Sequence, residues 1–310
     1  HYYFYNSKEQ LIPVMTLYGI SLIRLIPSYS GILTSFLGIK FHSISFNYIC
    51  NELRGNHEIK NTIKSEKENY SLEKNSKIII NNLSFKYKEA NQEVFSDVNL
   101  EISSGNVIGI LGSSGSGKST FADLLMGLYF PNQGSISLNT KDISKDPGDW
   151  KKLISYLSQD VFLLDDNIRN NIAVETDEDK IDHKFIDEVV KKSNCEEFIL
   201  DFPNKLDTQV GERGVKLSGG QKQRIGVARA LYHKPKICIF DEPTSGLDEA
   251  NEKKIVNTIC ALKQANKIVL FITHKISNLS KVDKVIFIKN KKISIHENTP
   301  KTIKFIRENY

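Results

Sequence analysis

From residue 11 to residue 39 the chain reads LIPVMTLYGISLIRLIPSYSGILTSFLGI, an apolar run interrupted by one charged residue, Arg24. A helix needs ~20 apolar residues to cross the hydrocarbon core of a bilayer, so the run predicts one membrane crossing; a pair of buried helices broken at Pro27 also fits the pattern. Past it, Phe41, Ile44, Phe46, Tyr48 and Ile49 are diluted by polar residues, as in a helix that leaves the membrane and continues into water. Residues 56–77, NHEIKNTIKSEKENYSLEKNSK, carry many charges and few large apolar side chains, and predict a solvated linker. Three segments are therefore expected: 1–56, a membrane helix with its cytosolic extension; 57–76, a linker; and 77–310, a globular domain.

In the last segment the pattern changes. KIIINNLSFKY, VFSDVNLEIS and NVIGILG are short β-rich runs, and beyond them helical stretches alternate with the continuous apolar strands KICIFDE and KIVLFITH. Continuous apolar runs of strand length belong to parallel sheets covered on both faces. A strand, a glycine loop, a helix and later buried strands predict a P-loop α/β fold, with an antiparallel β layer ahead of it.

Candidate chemistry collects around that loop. GSSGSGKST, residues 112–120, lies between the strand VIGIL and the helical FADLLMGL, which is the context a phosphate-binding loop requires. Gly112, Gly115 and Gly117 let the backbone of Ser113, Ser114, Ser116 and Thr120 curl its N–H groups around a β-phosphate. Lys118 then reaches the β and γ oxygens, and Ser119 ligates Mg2+. KICIFDE ends in two carboxylates: Asp241 emerges at the strand's carboxyl end to hold Mg2+ through a water, and Glu242 is placed to deprotonate an attacking water. FITH delivers His274 to the same edge, within reach of a γ-phosphate. Gln159, in YLSQDVFLLDDNIRNNI, offers a neutral amide to Mg2+ and the γ-phosphate, and Tyr87 a ring on which adenine can stack. A second glycine turn opens a helix at KLSGGQKQR, residues 216–224, and its N–H groups make a further anion site.

Tyr87, the loop 112–120, Gln159, LSGGQ at 217–221, Asp241 with Glu242, the SGLD turn at 245–248 and His274 occur in this order. With them, residues 77–300 resemble the nucleotide-binding domain of ATP-binding cassette (ABC) transporters. The resemblance implies a P-loop core with an antiparallel β subdomain and an α-helical subdomain, ATP and Mg2+ as ligands, and ATP hydrolysis. It accounts for the second anion site through a head-to-tail pair of cassettes. Ser218, Gly219, Gly220 and Gln221 of one copy close on the γ-phosphate held by the other, with Asp248 among the residues at the nucleotide.

TQVGERG, residues 208–214, resembles the loop that exporters turn toward their membrane domain, and exporters carry that domain ahead of the cassette on one chain. DEPTSGLD departs from the commoner exporter pattern at Pro243 and Gly246, where alanine is more frequent; neither side chain contacts phosphate. SLIRLIPSYSGI, residues 21–32, is similar to the last membrane helix of bacterial flippases of lipid-linked oligosaccharides. In that setting Arg24 would face a lipid pyrophosphate, snorkel to the interface, or pair with an acid on other helices. A multidrug or lipid exporter is an alternative, and so is a soluble cassette ATPase acting on DNA or ribosomes, which the apolar run opposes.

The composition narrows partners and compartment. Lys and Arg number 42 against 37 Asp and Glu, and the signs are interspersed, so no nucleic acid is expected as a partner. Cys50, Cys195, Cys238 and Cys260 lie far apart without CxxC spacing, and read as core thiols of a reducing compartment in preference to a disulfide or zinc framework. The chain opens on His1 with no signal-peptide pattern, and is expected to be the C-terminal piece of a longer protein. The resemblance places that protein in the bacterial inner membrane with several crossings, the cassette on the cytoplasmic side, and a second copy of itself, membrane lipid and a transported substrate as partners.

Overall fold

The computed structural model describes residues 8–62, 70–175 and 177–309. The chain divides into two units, residues 1–64 and 65–310.

The first unit is one helix, α1 (Lys8–Thr62), of 55 residues, which runs unbroken through Pro13 and Pro27. The arrangement with a helix pair broken at Pro27 is thus not adopted. At 1.5 Å per residue α1 is ~80 Å long, well over the ~30 Å of a hydrocarbon core. Its stretch Leu11–Asn51 is long and apolar enough to cross a membrane, and none of that window is buried within the protein. The hydroxyls of Thr16 and Ser21 donate back to the carbonyls of Ile12 and Leu17, at 2.8 Å each, so these polar groups need no water. The helix reaches Thr62, and so extends into the stretch read as linker. Residues 63–69 of that stretch lie outside the described residues; of those after it Ser71, Glu73, Lys74 and Asn75 are exposed, while Tyr70 and Ser76 are buried. Tyr70 is 8% exposed, stands edge-on to Trp150 and donates its hydroxyl to the carbonyl of Asp142 at 2.7 Å.

The second unit has two sheets. β1 (Lys77–Phe85), β2 (Phe95–Ser103), β4 (Gln133–Leu138) and β5 (Lys141–Asp142) form an antiparallel sheet in the order β2-β1-β4-β5. The six-stranded sheet runs β10-β9-β3-β8-β7-β6, from β3 (Val107–Gly112), β6 (Ile154–Leu157), β7 (Ile237–Asp241), β8 (Ile268–Ile272), β9 (Lys284–Lys289) and β10 (Lys292–Glu297). Only the β9–β10 hairpin is antiparallel in it. The helices are α2 (Lys118–Leu125), α3 (Pro147–Lys152), α4 (Ile168–Ala173), α5 (His183–Lys192), α6 (Glu196–Leu200), α7 (Gly219–Tyr232), α8 (Glu249–Ala261) and α9 (Pro300–Asn309).

Every residue of β3, β7 and β8 is buried, which is why these segments read as unbroken apolar runs. Alternate side chains feed two cores. Ile237, Ile239 and Leu270 join Ile78, Phe95, Phe121 and Trp150 against the antiparallel sheet and α2. Cys238, Phe240 and Phe271 join Leu163, Ile168, Ile225 and Ile255 beneath the helices. Phe95, Phe121 and Phe271 are buried to 1% exposure or less, each worth roughly 1.5–3 kcal/mol of transfer free energy. All parallel strands of the sheet place their carboxyl ends at one edge, where Gly112, Asp241 and Ile272 stand.

Candidate nucleotide site

The loop between β3 and α2 is closed by glycines for steric reasons. Gly117 caps α2 at φ +102°, and a Cβ there would stand 2.9 Å from both Phe95 Cζ and Val94 Cγ1. A Cβ at Gly112 would run into Ser116 Oγ and the carbonyl of Ile288. With glycine as cap, α2 has no side chain covering its first N–H groups, which leaves them for an anion. Lys118 is buried and donates Nζ to the carbonyls of Gly112 at 2.8 Å and Ser113 at 3.0 Å. Burial lowers its pKa, while the carboxylates of Glu242 and Asp241 act in the opposite direction, so both acids lie within electrostatic reach of this lysine. Among the described residues Ser116 Oγ is buried without a hydrogen-bond partner, and Ser119 is exposed at the start of α2. Thr120 is 9% exposed and hydrogen-bonds the hydroxyl of Tyr87 at 3.0 Å. The Tyr87 ring packs edge-on against Phe85 and Tyr129, beside a cleft of about 330 Å³ whose lining includes Lys86, Glu93 and Asn132.

Asp241 ends β7 and is 8% exposed. Burial raises its pKa, partly offset by the Tyr156 hydroxyl, which donates to Oδ2 at 3.2 Å. Glu242 follows in the left-handed region at φ +48°, a conformation a side-chain-bearing residue adopts only under constraint. Its N–H donates to the carbonyl of Ile272 on β8 at 3.0 Å, which fixes that backbone. Two side chains then converge on its carboxylate: Gln159 Nε2 lies 3.3 Å from Oε2, and His274 Nε2 2.8 Å from Oε1. Gln159, Glu242 and His274, far apart in the chain, thus meet at one carboxylate, next to the lysine of the phosphate loop.

The second anion site is built differently. Ser218 caps α7 through a reciprocal box: its Oγ accepts from the Gln221 N–H at 3.3 Å, and the Gln221 Oε1 accepts from the Ser218 N–H at 2.8 Å. Ser218 and Gly219 are exposed, and a Cβ at Gly219 would meet nothing within 4 Å. At Gly220 a Cβ would stand 2.8 Å from Leu247 Cδ2, so the SGLD turn lies alongside. Asp248, which ends that turn, caps α8 by accepting from the Asn251 N–H at 3.3 Å. Among the described residues no hydrogen bond or ion pair joins residues 217–221 to the loop 112–120.

Three contributors escaped the motifs. Tyr156 touches Asp241 from the neighbouring strand β6, and its place in YLSQ before Gln159 was the available signal. Gln223 donates Nε2 to the carbonyl of Gln159 at 2.7 Å, from within LSGGQKQR itself. Glu252 accepts from Thr244 Oγ1 at 3.2 Å and Asn278 Nδ2 at 2.6 Å, and pairs with Lys275, next to His274, at 2.6 Å. Nothing in the sequence singles it out from the other acids of α8.

Residues 95–245 match the sequence profile described as ABC transporter. The chain carries an ABC transporter cassette. An export ATP-binding/permease protein of Rickettsia typhi is 38% identical to this ABC chain over 214 residues, covering 68% of the chain and 37% of that protein. A leukotoxin export ATP-binding protein of Aggregatibacter actinomycetemcomitans is 40% identical over 210 residues, 67% of the chain and 29% of that protein. An ABC multidrug transporter of Aspergillus fumigatus is 41% identical over 194 residues, 62% and 24% respectively. The chain therefore spans between about a quarter and just over a third of the length of these relatives. Among solved structures, a bacterial Atm1-family ABC exporter with ATP bound superposes with TM-score 0.70 at 29% identity, over 79% of this chain and 42% of that one.

The ABC cassette is an ATPase domain, and its residues fit the ligands of that chemistry. The phosphate loop has an orphaned buried hydroxyl at Ser116, uncapped N–H groups on α2 and a buried lysine, all suited to phosphate oxygens. Ser119, Gln159 and Asp241 supply a hydroxyl, an amide and a carboxylate, hard oxygen donors of the kind Mg2+ takes together with phosphate.

Proposed function

We propose that this chain is the ATP-hydrolysing part of an exporter-type half-transporter that works as a head-to-tail pair. The observation that carries the reading is the Glu242 carboxylate, set on a constrained backbone between Gln159 and His274 beside Lys118. Lys118 and the loop residues Gly112–Thr120 bind and orient the β- and γ-phosphates. Ser119, Gln159 and Asp241 would hold Mg2+, which neutralises phosphate charge when bound. Glu242 takes the proton of the attacking water, and His274, hydrogen-bonded to it, keeps it in place and faces the γ-phosphate. Tyr87 supports the adenine, its hydroxyl anchored on Thr120.

The exposed cap of α7 completes the reading. Among the described residues Ser218, Gly219 and Gly220 make no polar bond to their own phosphate loop; the Ser218 N–H is held by Gln221 Oε1, and the N–H groups of Gly219 and Gly220 in the first turn of α7 suit closure on a partner's nucleotide. ATP binding would draw two cassettes together, and hydrolysis would release them, switching the membrane domain to which α1 belongs. For the substrate we favour a lipid-linked oligosaccharide moved across the bacterial inner membrane, on the likeness of residues 21–32, with Arg24 the candidate contact for its pyrophosphate. The names of the leukotoxin and multidrug relatives support the broader class of exporter equally well.

The deciding experiment uses the full-length protein in proteoliposomes, following ATP-dependent movement of a fluorescent lipid-linked oligosaccharide between leaflets, with Glu242→Gln as the blank. That variant should still bind ATP and trap a closed dimer while hydrolysis falls by about 100-fold or more. Undiminished hydrolysis would remove Glu242 as the base. Lipid movement that persists in the blank, or its absence alongside ATPase activity stimulated by another compound, would remove the glycolipid reading.

A further inference from the structure

We propose that Gln223 is a positioning residue that couples the exposed N-terminus of α7 to the base of the same protomer, so that nucleotide held by the partner is sensed at the protomer's own catalytic carboxylate. The proposal rests on the composite-site reading above. Three residues bind α7 to the segment around Gln159. Gly226 brings the helix so near that a Cβ there would stand 2.5 Å from Leu157 Cδ1 and 2.9 Å from Val161 Cγ2. Arg229 donates Nη1 to the carbonyl of Phe162 at 2.7 Å and Nε to that of Asn171 at 2.8 Å. Gln223, 5% exposed, donates Nε2 to the carbonyl of Gln159 at 2.7 Å.

Positions 223, 226 and 229 recur at a spacing of three, which places them along one stripe of the helix. That stripe grips the chain before, at and after Gln159. Close-packed contacts of this kind transmit displacement and do not absorb it. From Gln159 the path is one step longer, since its Nε2 contacts Glu242 Oε2 at 3.3 Å. Of the three gripping residues only Gln223 bonds Gln159 itself. Among the described residues its Oε1 is buried without a hydrogen-bond partner, so the side-chain amide is held through Nε2 on the Gln159 carbonyl. When Ser218 and Gly219 take up a γ-phosphate, any shift of α7 therefore moves the Gln159 backbone and with it the amide on the base.

The test is steady-state ATPase activity of the full-length transporter. Gln223→Met keeps the side-chain length and removes the donor. It should lower kcat about tenfold with KM for ATP changed less than about twofold. In a Gln159→Ala background the same substitution should lower kcat by less than about a further twofold, because the two residues act in series. Independent, additive losses, or a loss expressed in KM, would overturn the proposal. Gln223→Glu gives a second readout, since an ionised carboxylate cannot donate to the Gln159 carbonyl and a protonated one can. Its kcat relative to the unmodified transporter should rise as pH falls, and a pH-independent ratio would overturn the coupling. Ser218→Arg, measured alongside, separates the two readings. If it leaves turnover intact, the composite site fails and the coupling with it. If it abolishes turnover while the Gln223 and Gln159 losses add, the coupling alone fails.

Discussion

Asp241 and Glu242 are adjacent carboxylates made unlike by their surroundings. Asp241 is enclosed at the end of β7, and burial raises its pKa. An acid whose folded pKa lies above its unfolded value costs stability once pH exceeds the unfolded value, with the full cost reached above the folded one. Asp241→Asn removes that cost and keeps an acceptor for Tyr156. The nucleotide-free chain should accordingly melt at a higher temperature than the unmodified one at neutral pH, with the difference shrinking in acid, while Mg2+-dependent hydrolysis is lost. Scanning calorimetry across pH, paired with an ATPase assay, checks both halves; an unchanged or lower melting temperature would mean that the carboxylate is not destabilised by its site. Asp241, Glu242 and His274 were legible in the sequence because each stands at or just beyond the end of a buried strand, and strand ends of a parallel sheet are where polar groups emerge. Tyr156 had only its place before Gln159 as a signal, and Glu252 had none, because their partners, Asp241 on one side and Thr244, Lys275 and Asn278 on the other, are set by tertiary packing.

Among the elements, the β3–α2 junction is the most exacting. Gly117 combines a positive φ with two side chains that would crowd a Cβ. Gly117→Ala is expected to distort the loop against Phe95 and weaken ATP affinity by about tenfold or more, a loss of the size attached to a strained backbone position; titration with a fluorescent ATP analogue measures it. Affinity unchanged within error would show that the loop tolerates a side chain at this point. The junction itself was readable, since a buried apolar strand, glycines and a helix signal follow one another without a gap. Element boundaries were less so. The charged stretch after residue 56 looked like linker, yet α1 runs on to Thr62 and Tyr70 is packed against Trp150. Local composition reports solvation on average, whereas a helix continues for as long as its backbone bonds close, and one aromatic ring can anchor a segment that is otherwise polar.

At the scale of the molecule, two features remain open to a partner. α1 carries large apolar side chains on all sides, including Ile12, Leu22, Ile26, Phe36 and Phe41, each more than half exposed. The capped end of α7 is directed outward. Ser218→Arg places a long cation at that end without touching the phosphate loop. It should leave ATP affinity of the isolated subunit within about twofold while turnover of the assembled transporter falls by about 100-fold, in the range seen when a stabilising donor to a reacting phosphate or oxyanion is lost. Normal turnover would require a site complete within one subunit. Two glycine turns, each opening a helix, were plain from spacing; that the second serves a partner's nucleotide came only from the family resemblance, because a sequence describes a single copy.

The hydrogen bond from Glu242 N–H to Ile272 carbonyl has a further implication for timing. It ties Glu242 to β8, one of the two central strands of the six-stranded sheet and so in the part of a fold whose fluctuations are smallest, whereas Gln159 and His274 sit on connecting segments of the kind that move on nanosecond to microsecond scales. On the proposed mechanism the carboxylate would therefore stay in register between rounds of turnover, and the pace of each round would fall to the amide and the imidazole as they arrive at it and depart.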